Sequence, residues 1–183
     1  LCYSKPVISM ILADFQKIQP QFMACVPRIW DGIYTQIEKK AVNKSKSRKI
    51  LFKLCTGAAK GRLRIRAVIY GRNARYRKDF WLFKILNKVL YIPLVFLLPL
   101  VYVGELVFFK KARDVFGGCF KIAVSGGGGI APKLDRFYNA IGLRLVEGYG
   151  LTETAPMVTL RSYRRPILGT IGRPLDYCEI KIV

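Results

Sequence analysis

Two short runs hold the residue types best suited to chemistry. "SGGGG", residues 125–129, needs the open φ/ψ space that glycine supplies, and "EGYGLTETAPMV", residues 147–158, follows it closely. In the second run Tyr149 stands between two glycines, so a flat base can reach its ring face. Thr152 offers a hydroxyl to a phosphoryl oxygen, and Glu153 offers a carboxylate to Mg²⁺, a hard cation that prefers oxygen ligands. The plainer readings are a core tyrosine, a helix-capping threonine with a capping acid, and a tight glycine turn under a packed helix.

The same residues admit another chemistry. Gly126, Gly128 and Ala131 satisfy G-x-G-x-x-A, and Glu147 lies about 20 residues on, where a Rossmann-type dinucleotide-binding oxidoreductase keeps its ribose-binding acid. Four successive glycines meet such spacing easily, and Pro132 follows the third loop position at once. A P-loop is excluded, since no Gly-Lys-Ser/Thr follows. With no histidine in 183 residues, a Ser-His-Asp or Cys-His relay and any His-containing zinc site are excluded as well. Cys2, Cys25, Cys55, Cys119 and Cys178 are odd in number, widely spaced and never C-x-x-C, which reads as small buried hydrophobes in a reducing cytosol.

The elements that must position these runs follow from periodicity. "FKIAV", residues 120–124, reads as a buried strand, 132–141 as a helix opened by a proline, and 143–146 as a second strand. Strand, glycine loop, helix and strand make a βαβ unit of a parallel sheet, with the loop at a strand's carboxyl end, where α/β folds bind ligands. Upstream, Ile8, Ile11, Leu12, Phe15 and Ile18 share one helical face until Pro20, residues 21–26 read as a short strand, and Pro27 opens a helix on which Ile29, Ile33 and Ile37 recur. Residues 8–40 are thus a helix-strand-helix core segment.

Charge is concentrated between these parts. The chain carries 32 Lys and Arg against 11 Asp and Glu, a net +21, and residues 39–88 hold seventeen of those cations with one acid, Asp79. Interleaved aromatics and aliphatics argue for an amphipathic basic element. Residues 89–104 then run uncharged, "VLYIPLVFLLPLVYVG", with prolines at 93 and 99. A bilayer span needs about 20 apolar residues, and each proline removes a hydrogen bond that lipid cannot replace, so a span is not expected. The alternatives are a core segment, a helical hairpin bent at the prolines, or an element dipping into an anionic membrane surface beside the basic window. Nucleic acid is the competing partner by charge, but no known binding motif supports it. No signal peptide is read, and the strand-like alternation at the end of the chain reads as that of a piece of something longer.

"EGYGLTETAPMV", with "SGGGGIAP" before it and "GTIGRPLDYCEIKIV" after it, resembles the signature of the adenylate-forming (AMP-binding) superfamily, in particular bacterial long-chain acyl-CoA synthetases. "VPRIWDGIY", residues 26–34, is similar to the family's segment upstream of the glycine loop. The resemblance implies an interior portion of the large N-terminal domain, mixed α/β layers, in which 120–183 form the adenylate-binding segment and 41–111 a basic and apolar insertion. The C-terminal domain, the phosphate loop, the ribose-binding Asp and the catalytic Lys would lie outside these residues, leaving the fragment inactive alone. The implied activity is activation of a long-chain fatty acid by ATP and Mg²⁺, then acyl transfer to coenzyme A. By the same resemblance Tyr149 would stack on adenine, Gly148 would lie beside it, Gly127, Gly128 and Gly129 would line the adenine and acyl pockets, Thr152 would contact the α-phosphate, and Glu153 would hold Mg²⁺. The implied location is cytoplasmic, peripheral at the inner face of the membrane. If the dinucleotide reading held instead, Glu147 would be the sensitive acid; a non-catalytic basic module binding membrane or nucleic acid is the third alternative.

Overall fold

The computed structural model describes residues 2, 4, 5, 7–42, 45–70, 91–154 and 157–181. Helix α1 (Ile8–Ile18) carries Ile11 and Phe15 into the core and ends where Gln19 turns left-handed at φ 49°, its N–H donating to the Phe15 carbonyl. Ile18, expected on the buried face, is 48% exposed because the chain turns away at the next residue. Strand β1 (Phe22–Cys25) follows, then helix α2 (Pro27–Val42), opened by the expected proline. Of its isoleucines, Ile33 and Ile37 are buried, flanked by buried Trp30 and Tyr34.

Helix α3 (Lys46–Ile69) is capped by Ser45, whose hydroxyl accepts from the Ser47 N–H. Phe52, Cys55, Thr56 and Ala59 form its buried stripe, and Lys46, Lys49, Lys53, Arg64 and Arg66 are exposed. This is the expected amphipathic basic element. The rest of the basic window, at 43–44 and 71–88, and the first two residues of the apolar run lie outside the described residues.

The apolar run forms helix α4 (Tyr91–Gly104), which continues through a π-helical stretch, Glu105–Phe109, into helix α5 (Lys110–Asp114). Pro99 sits inside this one helix, so the proline-bent hairpin is not formed. A Cβ placed on Gly61 would touch Leu97, and one on Gly104 would meet Cys55, so α3 and α4 approach closely along small residues. The outer side of α4 is open: Ile92, Val95, Phe96 and Tyr102 are exposed, as is Leu106 in the π-helical stretch. Among the described residues, no helix is long and apolar enough to cross a membrane.

Strand β2 (Ile122–Ser125), helix α6 (Pro132–Ala140) and strand β3 (Arg144–Tyr149) are the expected βαβ unit, with β3 running on to include Gly148 and Tyr149. A one-turn 3₁₀ helix (Thr152–Thr154) leads to strands β4 (Thr159–Leu160) and β5 (Arg173–Pro174). The sheet order is β1-β2-β3-β4-β5. The first three strands are parallel, with Phe22 beside Ile122 and Ile122 beside Arg144, and the last two are antiparallel. From Leu175 to Lys181, where alternation suggested a strand, none forms; residues 182–183 lie outside the described residues.

Aromatic packing fixes α6 over the sheet. Phe116, Phe137 and Tyr138 are fully buried with Trp30, and the Tyr138 hydroxyl donates to the Trp30 carbonyl at 2.6 Å. A buried hydroxyl needs such a partner, so this bond sets the distance between α6 and α2. The Arg113 guanidinium, paired with Glu105, also donates to the Ile141 carbonyl at 2.7 Å and ties the end of α6 to α5.

Candidate functional site

The glycine loop is held at both ends and open between them. Where β2 stops, the Gly126 N–H donates to the Cys25 carbonyl at 3.3 Å, and beyond the glycines the Ile130 N–H donates to Glu147 Oε1 at 3.1 Å. Gly127, at φ 74°, takes a left-handed conformation that side-chain-bearing residues rarely adopt, and Gly127, Gly128 and Gly129 are all exposed. The loop then enters α6. It lies, as expected, at the carboxyl edge of the parallel sheet.

Ser125 pairs in register with Glu147, so Gly148 and Tyr149 project past the end of β2 and alongside the loop. A Cβ on Gly126 would lie 3.6 Å from the Gly148 carbonyl, which shows how close the two backbones come. Tyr149 is anchored by its backbone, its carbonyl accepting from the Val158 N–H at 2.9 Å, while its side chain is exposed. It is therefore not the core tyrosine of the plainer reading. The structure thus brings Gly127, Gly128, Gly129, Gly148 and Tyr149 to one edge.

Thr152 and Glu153 follow on the 3₁₀ turn, both exposed. The hydroxyl that secures this turn belongs to Thr154, which accepts from the Leu151 N–H and donates to the Leu151 carbonyl, each at 3.0 Å. Capping is thus done by the neighbour that the sequence did not single out, and the side chains of Thr152 and Glu153 are engaged by no described residue. Ala155 and Pro156 of the same run lie outside the described residues.

Glu147 has another task. It is buried, Oε2 accepts from Arg161 Nη2 at 2.9 Å, and Oε1 takes the Ile130 N–H, so both oxygens are turned into the fold and neither is presented to a ribose. The dinucleotide alternative is overturned on this point. It also fails on topology, because the strand beside β3 is the antiparallel β4. Arg161 and its second partner Asp135, at 2.8 Å, were missed in the sequence. Nothing local announced it: Arg161 follows the two-residue strand β4, too short to show a period, and its acceptors come from distant parts of the chain.

Burial pushes the Cys25 thiol up to about 12, so this sulfur is a neutral packing atom at the end of β1. Burial likewise raises the Tyr138 hydroxyl. Among the described residues, no group of three or more ligating side chains is assembled. A cation at Glu153 would take one carboxylate from the chain and its other oxygens from a nucleotide's phosphates and water. Mg²⁺ is commonly bound that way, and an exposed, unengaged carboxylate fits it.

Comparison with known proteins gives the family of the chain. A family model described as AMP-binding enzyme matches residues 2–183. The probable acyl-activating enzyme 16, chloroplastic, of Arabidopsis thaliana is 30% identical over 179 residues, which cover 96% of this chain and 25% of that protein. The long-chain-fatty-acid–[acyl-carrier-protein] ligase AEE15, chloroplastic, of the same plant is 29% identical over 180 residues, 93% of this chain and 24% of its own length. The long-chain-fatty-acid–CoA ligase FadD15 of Mycobacterium tuberculosis is 26% identical over 175 residues, 96% and 25% respectively. The chain therefore spans about a quarter of the length of these curated relatives. No solved structure matches.

Proposed function

Since this chain belongs to the AMP-binding enzyme family, we propose that the protein of which it is part activates a long-chain fatty acid. A carboxylate oxygen attacks the α-phosphorus of ATP and pyrophosphate leaves; the thiol of coenzyme A then attacks the acyl carbonyl and AMP leaves. The observation that carries this reading is the exposure of Tyr149 beside the open glycine loop, and of Thr152 and Glu153 on the turn that follows, with turn-capping left to Thr154. Tyr149 stacks on adenine between Gly148 and the loop, Gly127, Gly128 and Gly129 line the adenine and acyl pockets, Thr152 donates to an α-phosphate oxygen, and Glu153 binds the Mg²⁺ that accompanies ATP. That ion neutralises phosphate charge. The chain's own contribution is a set of fixed donors and a ring face waiting where charge and base arrive.

The long acyl chain is supported by the activities that the relatives' names carry, though this chain covers only about a quarter of their length. A second reading, transfer to an acyl-carrier protein, is favoured by the 29% identity to a ligase of that kind. The open apolar side of α4 beside the cations of α3 supports peripheral attachment to an anionic leaflet, in the cytoplasm at the inner face of the membrane.

Two substitutions in the full-length protein test the site. Glu153→Gln keeps volume and removes charge; it should lower pyrophosphate release with palmitate by about 10² to 10³ and leave the melting temperature unchanged, since no described residue engages the side chain. Tyr149→Ala should weaken ATP binding by about 1–3 kcal/mol with a smaller effect on the rate at saturation. A fully active Glu153→Gln enzyme removes the assignment.

A further inference from the structure

Arg161 is among the most deeply buried charges of the described residues, its side chain 1% exposed, and it touches none of the proposed ligand-binding groups. Its guanidinium donates to Asp135 Oδ1 at 2.8 Å, to Glu147 Oε2 at 2.9 Å, and through Nε to the Thr170 carbonyl at 2.7 Å. These acceptors lie on three different pieces of chain: the first turn of α6, the end of β3, and the connection between β4 and β5. The connection is tied back again, with the Gly169 N–H donating to Asp135 Oδ2 at 3.3 Å.

The two carboxylates bracket the glycine loop. Asp135 stands in the helix that leaves it, and Glu147 takes the N–H of Ile130, the residue directly after the glycines. Glu147 also lies two residues before Tyr149 on the same strand. One path therefore runs from loop to Ile130, to Glu147, to Tyr149, and the Arg161 fork clamps its middle. The cluster sets two buried carboxylates against one cation, and they also accept from the Ile130 and Gly169 N–H groups and the Asn139 amide. Removing the guanidinium would leave two like charges facing each other without solvent.

We infer that Arg161 is a positioning residue that fixes the glycine loop against the Tyr149 edge and thereby sets nucleotide affinity. The part about affinity rests on the nucleotide-binding function proposed above; the part about loop position does not. A lysine cannot substitute, because one ammonium does not reproduce a planar fork serving three acceptors in three directions.

The test uses Arg161→Lys, Arg161→Gln and Glu147→Gln in the full-length protein, with amide hydrogen exchange over 126–131 and separate KM values for ATP and fatty acid. Arg161→Lys should exchange the Ile130 N–H about tenfold faster, the equivalent of one weakened hydrogen bond, and raise the KM for ATP by a similar factor while the KM for fatty acid stays put. Glu147→Gln keeps an acceptor for Ile130 but turns its amide toward the guanidinium, and should act in the same direction. If Arg161→Gln fails to fold, the other two variants decide. Wild-type exchange at Ile130 in both, or a lowered melting temperature with an unchanged KM for ATP, would overturn the inference and leave Arg161 a stabilising residue only. Should the wild-type protein release no pyrophosphate with any fatty acid, the proposed function fails, and the exchange measurement still decides whether Arg161 holds the loop.

Discussion

Thr152 and Thr154 are two residues apart and identical in type, yet only one hydroxyl is consumed by the fold. Residue type told the sequence reader what chemistry each could do, and it could not tell which would be occupied. The same limit explains Glu147, equally suited by type to a ribose or to a buried arginine, because burial depends on a partner fourteen residues away. Cysteine shows the same limit: of the five read as buried, Cys55 is buried, Cys25 and Cys178 are half-buried, and Cys2 and Cys119 are exposed. Cys25 and Cys55 have thiols raised by burial, whereas Cys2 and Cys119 are exposed. The thiolate is the reactive form, and at a pKa of about 12 its fraction at pH 8 is only about 10⁻⁴. Iodoacetamide at pH 8 should therefore modify Cys2 and Cys119 first and leave Cys25 unmodified until the fold is lost, as peptide mass mapping would show. Modification of Cys25 at the rate of Cys119 would contradict its half-buried placement and raised thiol.

At the scale of elements, much was legible. Pro27 and Pro132 announced helix starts, Pro20 a stop, and the short apolar run at 120–124 a buried strand, because these signals act locally along the chain. Pro99 misled, because packing of α4 against α3 overrides the missing hydrogen bond. The short strands β4 and β5 were illegible, since two-residue pairings leave no periodicity. What fixes them is a close approach. Gly172 has φ 94°, and a Cβ there would lie 2.2 Å from the Leu160 carbonyl carbon and oxygen. Gly172→Ala should force β5 off β4 and cost about 1–3 kcal/mol from strain alone, measurable as a lower denaturation midpoint. An alanine variant as stable as the parent would mean that β5 is not held by this contact.

Over the whole molecule, the charge of +21 is a uniform attraction to anions, but the fold gives it direction. The cations of α3 and the open apolar side of α4 belong to one packed pair, and Phe96 is 75% exposed there. Such a surface combines electrostatic approach with shallow apolar burial. The full-length protein should sediment with vesicles containing phosphatidylserine and less with phosphatidylcholine alone, and salt should weaken the binding without abolishing it. Equal sedimentation with both would mean adhesion without charge recognition, and none at all would remove the membrane surface from the proposed function.

The register of the parallel strands has a consequence in time. Ile122 finds Arg144 across a short crossover, whereas Phe22 finds Ile122 only after the chain has made its long helical excursion. Closing the longer loop costs about 1.3 kcal/mol more in chain entropy by logarithmic scaling with length. Non-local pairings of this kind slow folding. The glycine loop's own unit, β2-α6-β3, can therefore assemble early, and the order of events follows: pulsed hydrogen exchange during refolding should protect amides of β3 before those of β1. During synthesis β1 emerges first and waits, an unpaired strand, until the ribosome has delivered residues 122–125.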